Sequence, residues 1–203
     1  AYVTGPYTLS SQIMGAEDAA ATALSSPKNL HRLCSLAARK IIEYSKELIA
    51  AGAEVICILE PSAVILEPKQ FQDFSAFYVR QIVARCQNQK ANTIYHVCGN
   101  SMHLIEKMVN SGANGISLDS KEAHVDLVQA AKRIPEDVAI IGNIDPVKTM
   151  LLGTPELVKK EVTTLMNEMK PFPNFILSTG CDLPQKTPIE NIHAFMKAGR
   201  GLN

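Results

Sequence analysis

Short apolar runs recur between long amphipathic stretches along the whole chain. That alternation constrains the fold more than any other feature of the sequence. The runs lie at residues 2–4, 54–59, 93–97, 115–118, 138–142 and 174–177. Most are continuous rather than alternating in polarity, as parallel strands covered on both faces are. Residues 30–51, 103–110, 121–133, 155–169 and 188–197 carry apolar side chains near helical spacing. In the first of these they are Leu33, Leu36, Ala37, Ile41, Tyr44, Leu48 and Ile49. Six strands in regular alternation with helices imply a parallel α/β sheet.

Helix borders are written in the sequence. Ser26-Pro27, Asp145-Pro146, Thr154-Pro155 and Thr187-Pro188 each offer a capping residue followed by proline in the first turn. Thr187 with Glu190 fits a capping box. Gly52 and Gly112 suit the left-handed position that closes a helix before a strand. Residues 61–73 form the longest stretch without clear periodicity, and they follow a strand, where α/β enzymes place binding loops.

The chain has 203 residues, 46% of them hydrophobic, which suits one domain (1–203) with a real core and excludes a disordered chain. Twenty basic residues balance twenty acidic ones without a basic stripe, so no nucleic-acid partner is expected. No apolar run reaches the roughly 18 residues of a membrane span, and no basic leader opens the chain. Those absences lead to the expectation of a cytoplasmic protein. A closed (β/α)8 barrel takes about 250 residues. Six units in 203 residues therefore suggest an open sheet or a barrel without its first two βα units. The opening directly on strand-like sequence favours the second.

Five cysteines are an odd number, better read as free thiols or metal ligands than as a disulfide frame. Cys34, Cys57 and Cys86 fall in apolar strand or helix sequence, where burial accounts for them. Cys98 differs. In Tyr95-His96-Val97-Cys98-Gly99-Asn100, His96 and Cys98 are two apart at a strand end, so both side chains point to one face. Cys181 lies just past another strand, at the same carboxyl edge of a parallel sheet. An imidazole and two thiolates with an open fourth position describe a catalytic zinc site. Ordinary buried thiols and a hydrogen-bonded histidine are the alternative, and spacing alone leaves both open. Asp119 and Glu60 end strands and are candidates for a fourth ligand, an orienting partner or a proton acceptor, with helix capping as the plainer role. Asp145 is a cap, and Asn143 is placed to point into a site. His31, His103, His124 and His193 fall on helices and read as surface residues. Neither GxGxxG, GxxxxGK[ST] nor GxSxG occurs.

Taken together, several segments resemble one family. They are Gly5-Pro6-Tyr7-Thr8-Leu9, His96-Val97-Cys98-Gly99-Asn100, Gly115-Ile116-Ser117-Leu118-Asp119, Ile141-Gly142-Asn143-Ile144-Asp145-Pro146, Leu152-Gly153-Thr154-Pro155-Glu156 and Gly180-Cys181-Asp182-Leu183-Pro184. In order and spacing they are similar to the uroporphyrinogen decarboxylase superfamily, specifically its cobalamin-dependent methyltransferase branch. That branch includes the methylcobamide:coenzyme M methyltransferases. The resemblance covers nearly the whole chain. It implies a (β/α)8 TIM-barrel fold with about six units present, the C-terminal portion of a longer family fold.

The resemblance also implies zinc held by His96, Cys98 and Cys181, with Asp119 at the place of an acidic residue that completes the site in relatives. Asn143 is the expected cofactor-side residue. The implied reaction moves a methyl group from a methylated corrinoid protein to a small thiol, coenzyme M by family. Methyl transfer to or from tetrahydrofolate, porphyrinogen decarboxylation and a non-catalytic corrinoid-protein-binding module are the alternatives. A homo-oligomer is compatible with an open sheet edge. Glu60-Pro61-Ser62 departs from the family, where aspartate often precedes the proline, and this weakens Glu60 as a site residue.

Overall fold

Strand β1 (Tyr2–Thr4) leads into helices α1 (Pro6–Met14), α2 (Ala16–Ser25) and α3 (Pro27–Ala50). The computed structural model describes residues 1–201. Strand β2 (Val55–Leu59) follows, then a 3-10 turn at Pro61–Ile65, the short α4 (Pro68–Phe71), a wide turn at Gln72–Ala76 and α5 (Phe77–Gln87). The rest alternates singly: β3 (Asn92–Val97), α6 (Ile105–Val109), β4 (Gly115–Leu118), α7 (Leu127–Ala131), β5 (Ala139–Ile144), α8 (Pro155–Met169), β6 (Phe175–Thr179) and α9 (Ile189–Gly199).

All pairings are parallel and the strand order is β1-β2-β3-β4-β5-β6. An order that follows the chain without reversal is that of a barrel wall. A doubly wound sheet reverses at its switch point. Among the described residues the wall has two strands fewer than the eight of a closed barrel.

The strand period of two sorts the side chains. Val3, Ile56, Ile58, Tyr95, Val97, Ile116, Leu118 and Ile140 are buried beneath the helical layer. Cys57, Leu59, Ile94, His96, Ser117 and Ile141 line the other, concave face. Tyr95 stacks on Phe71 with ring centroids 5.9 Å apart, which ties the outer face of β3 to α4. The helices bury one stripe each. In α8 it is Val158, Val162, Leu165 and Met169, at steps of four, three and four residues. Burying side chains of this size stabilises the fold by about 1.5–3 kcal/mol each. Thr154 caps this helix by accepting from the Leu157 amide, and Pro155 fills its first turn. Among the described residues no helix is long and apolar enough to cross a membrane.

The structure differs from the sequence reading in several elements. Residues 6–25, not read as helical from the sequence, form α1 and α2. The signal is tertiary: the Glu60 side chain accepts from the amides of Tyr7 and Thr8 at 3.0 and 2.7 Å, satisfying free N–H groups at the start of α1. Residues 61–73, read as the longest stretch without clear periodicity, are largely helical turns. The stretch 121–133 is not one helix. His124 sits at φ 60° and breaks it, and α7 starts only after Asp126, which caps Gln129. Thr187 does not cap. The last helix begins at Ile189 with Pro188 at its cap position, and the Thr187 hydroxyl is buried without a partner. Ser26 makes no side-chain cap bond, although Pro27 does open α3.

Candidate metal centre

Cys98 lies one residue past β3, and Cys181 two residues past β6. The register sets His96 of β3 beside Ser117 of β4. His96 Nδ1 lies 3.2 Å from the Ser117 carbonyl oxygen and 3.0 Å from its Oγ. A carbonyl only accepts, so Nδ1 carries the hydrogen. The lone pair on Nε2 then faces the thiols, the tautomer a metal requires. Nε2 is 3.1 Å from Cys98 Sγ, and Cys98 Sγ is 3.5 Å from Cys181 Sγ. Zinc–sulfur and zinc–nitrogen bonds meeting at a tetrahedral angle put ligand atoms about 3.5–3.8 Å apart. The donor set fits zinc, and the sulfur–sulfur distance is close to that spacing, while the nitrogen–sulfur pair must open by about 0.4 Å around an ion. All three ligand atoms lie within 4.8 Å of one another, and no fourth His, Cys, Asp or Glu among the described residues joins the group.

The two thiols divide their protons unequally. The hydrogen bond from Cys98 draws the Cys181 thiol well below the usual range, against the cost of its burial. Cys98 is pushed up by its bond to Cys181, by burial and by the nearby charges of Asp119 and Asp182. The pair as a whole holds one proton weakly and one strongly. A cation entering the cluster replaces the strongly held one.

The cluster opens into a cavity of about 620 Å³ on the concave face. Its wall beyond the cluster is apolar at Val55, Leu59, Ile94 and Ile141, with Ser117, Ser178 and Thr179 supplying hydroxyls. Cys57, expected to be simply buried, also lines this cavity, and burial raises its thiol to about 11. It therefore stays protonated at neutral pH.

The other candidates fall into place around the cluster. Asp119 is half-buried; its Oδ2 accepts from the Gly99 amide at 2.7 Å and its Oδ1 from the Ser120 amide at 2.6 Å. Asn143 is 4% exposed and donates to the carbonyls of Asp119 and Val125. Asp145 caps the turn that follows β5, accepting from the amides of Val147 and Lys148. Glu60 is fully buried on the helical side, bonded also to Ser75 at 2.8 Å. Burial raises its carboxyl above the ordinary range despite those bonds. His103 and His193 are exposed helical residues as expected, and His124 is exposed in its left-handed turn. His31 is half-buried, bonded to the Tyr78 hydroxyl at 2.9 Å. Two participants escaped sequence reading. Ser117 orients His96, and only the pairing of β3 with β4 reveals it. Gly180 permits the approach of Cys181: a Cβ there would lie 2.5 Å from Ser120 N.

Comparison with known proteins adds to this geometry. Residues 1–202 match the family described as "Uroporphyrinogen decarboxylase (URO-D)". Two curated uroporphyrinogen decarboxylases from strains of Prochlorococcus marinus are 31% and 32% identical to the chain. Each alignment covers 99% of this chain and 58% of the relative. One from a Synechococcus strain is 29% identical, over 99% of this chain and 57% of the relative. Among solved structures, a methyltransferase from Methanosarcina mazei superposes with a TM-score of 0.88 at 23% identity, over 98% of this chain and 57% of that one. The chain thus spans a little under three fifths of the length of these relatives. The superposition agrees with the strand order: the sheet is a TIM-barrel wall.

Proposed function

The chain belongs to the uroporphyrinogen decarboxylase family, and we propose that within it this chain is the metal-bearing part of a zinc-dependent methyltransferase. The methyl donor is a methylated corrinoid on a partner protein, and the acceptor is a small thiol such as coenzyme M. One observation carries this reading: an imidazole and two thiols lie within bonding reach of a single ion and open onto a cavity.

Zinc, when bound, lowers the pKa of a thiol that reaches it and so keeps the acceptor nucleophilic at neutral pH. The residues of the chain do the rest. His96 Nε2, Cys98 Sγ and Cys181 Sγ hold the ion, and Ser117 fixes the ring that presents Nε2. Two thiolates and a neutral imidazole cancel the charge of a dication, which leaves a bound sulfur electron-rich. Leu59, Ile94 and Ile141 form an apolar wall beside the cluster.

A second reading, porphyrinogen decarboxylation, is favoured by the names of the curated relatives at about 30% identity. It gives the clustered His96, Cys98 and Cys181 no work. The two readings part in one set of assays. Methyl transfer predicts about one zinc per chain, lost in Cys98→Ser and in Cys181→Ser, and zinc-dependent methylation of coenzyme M from methylcobalamin, faster than any transfer involving tetrahydrofolate. Decarboxylation predicts consumption of uroporphyrinogen with no need of metal. Zinc together with corrinoid-protein binding but no methyl transfer marks a docking module.

A further inference from the structure

The two cysteines of the cluster come from loops 83 positions apart in the chain, yet their sulfurs sit 3.5 Å from each other. The contacts that hold the loops together converge on Asp119, through its carboxylate on one side and its peptide to Ser120 on the other. Gly99, immediately after Cys98, donates its amide to Asp119 Oδ2. Its φ of +75° is left-handed, so this bond fixes a sharp turn directly behind the thiol. On the other side, Gly180, immediately before Cys181, lies flat against the same peptide. Its missing Cβ would stand 2.5 Å from Ser120 N and 2.9 Å from the Asp119 carbonyl carbon. The peptide is itself immobilised. Asn143 donates to the Asp119 carbonyl at 2.9 Å, and Ser120 Oγ donates to Asp145 Oδ2 at 2.8 Å.

We infer that Asp119 is a positioning residue: it clamps the Cys98 and Cys181 loops at chelating distance from outside the coordination sphere, leaving the fourth metal position to an exogenous ligand. The inference rests on the metal centre proposed above. Both carboxylate oxygens are spent on backbone amides, at 2.7 and 2.6 Å, in charge-assisted bonds. The carboxylate stands outside the group of mutually close ligand atoms. Swinging it onto the metal strips the Gly99 amide of its acceptor and releases the turn that aims Cys98. The same two bonds keep Asn143 useful, since its amide braces the peptide that the carboxylate grips.

The test is cobalt substitution of the chain, read by absorption. In Asp119→Asn one acceptor oxygen remains and the charge is lost. Its cobalt affinity falls about tenfold, and that of Asp119→Ala falls towards a hundredfold, the range for removal of an outer partner. At saturating cobalt the d–d envelope and the sulfur-to-cobalt charge transfer of Asp119→Asn match the wild type, because the ligands are the same. A changed envelope at saturation makes Asp119 a ligand and overturns the inference. The wild-type chain gives a readout free of folding effects: hydrogen exchange at the Gly99 amide stays slow when zinc is added. Faster exchange on zinc addition also overturns it. In the wild type, added 2-mercaptoethanol raises the charge-transfer intensity, as an open fourth position requires. No rise removes the open position while the envelope comparison still judges the clamp. Failure of the wild-type chain to bind cobalt at all sinks the metal centre itself, and the clamp with it.

Discussion

Replacing Gly180 with alanine tests the geometry of the cluster most directly. The added methyl meets Ser120 N at 2.5 Å, the Asp119 carbonyl carbon at 2.9 Å and Ser120 Cα at 3.0 Å. Carbon contacts are comfortable at about 3.5–4.0 Å, so the two backbones must part by about 1 Å. Neither is a flexible side chain that turns aside. Ser120 is held by Asp145 and by the Asp119 carboxylate, and the Gly180 amide donates to the Ile144 carbonyl at 2.8 Å. Overpacking of this kind costs about 1–3 kcal/mol. For a chain of this size each kcal/mol lowers Tm by about 2–4 °C, so the variant melts roughly 2–12 °C lower. The displacement falls on the residue next to Cys181 and widens a sulfur separation of 3.5 Å. Zinc affinity, measured by competition with a chromophoric chelator, should therefore drop at least about tenfold, the lower end for loss of outer support. A Gly180→Ala protein with wild-type Tm and wild-type zinc affinity would refute the reasoning, because the close approach would then carry no weight.

Ser117→Ala removes one of the two oxygens near His96 Nδ1 and leaves the carbonyl, so zinc affinity in the same chelator assay should fall, by less than about tenfold. Glu60 is buried with its carboxyl raised above the unfolded value, so the folded state binds its proton more tightly. Its contribution to stability is full below the ordinary glutamate range and is lost as pH rises through the folded value. Glu60→Gln should flatten that part of the Tm–pH curve, at the cost of a lower Tm overall, since its amide nitrogen cannot accept from a backbone amide. Asn191 is buried and donates to the carbonyls of Met150 and Gly153, so Asn191→Leu strands two acceptors. Urea unfolding should show a loss of about 1–3 kcal/mol for each acceptor left without water. Adding zinc to the wild-type chain should raise Tm in proportion to the logarithm of free zinc, and Cys181→Ser should abolish the rise.

The strands were legible because a wall buried on both faces demands apolar runs. Each of the six expected runs coincides with an observed strand within two residues or so. The exceptions are physical. Strand β5 continues through Asn143 and Ile144, which pair with Ser178 and Thr179, and no local signal marks a polar residue in a strand whose side chain is anchored elsewhere. The first two helices were not legible. The buried face of α1 holds Pro6, Thr8, Ser10 and Ser11 beside Tyr7, and its anchor, Glu60, is more than fifty positions away. The pairing of His96 with Cys98 followed from the strand period alone. The convergence of Cys181 on them depends on Gly180 and the Asp119–Ser120 peptide, a contact between distant loops that spacing does not encode.

Because the strand order follows the chain, each strand needs only its predecessor to pair. Such a wall can be laid down vectorially as the polypeptide leaves the ribosome, one unit docking on the last. The cysteine cluster breaks that locality. A nascent chain that has not yet reached residue 181 offers only His96 and Cys98, a two-point grip that releases an ion readily. A three-point grip needs β3, β4 and β6 in place together, although Cys98 and Cys181 stand 83 positions apart in the chain. In the metal centre proposed above, retention of the ion would therefore report that β3, β4 and β6 stand together in register.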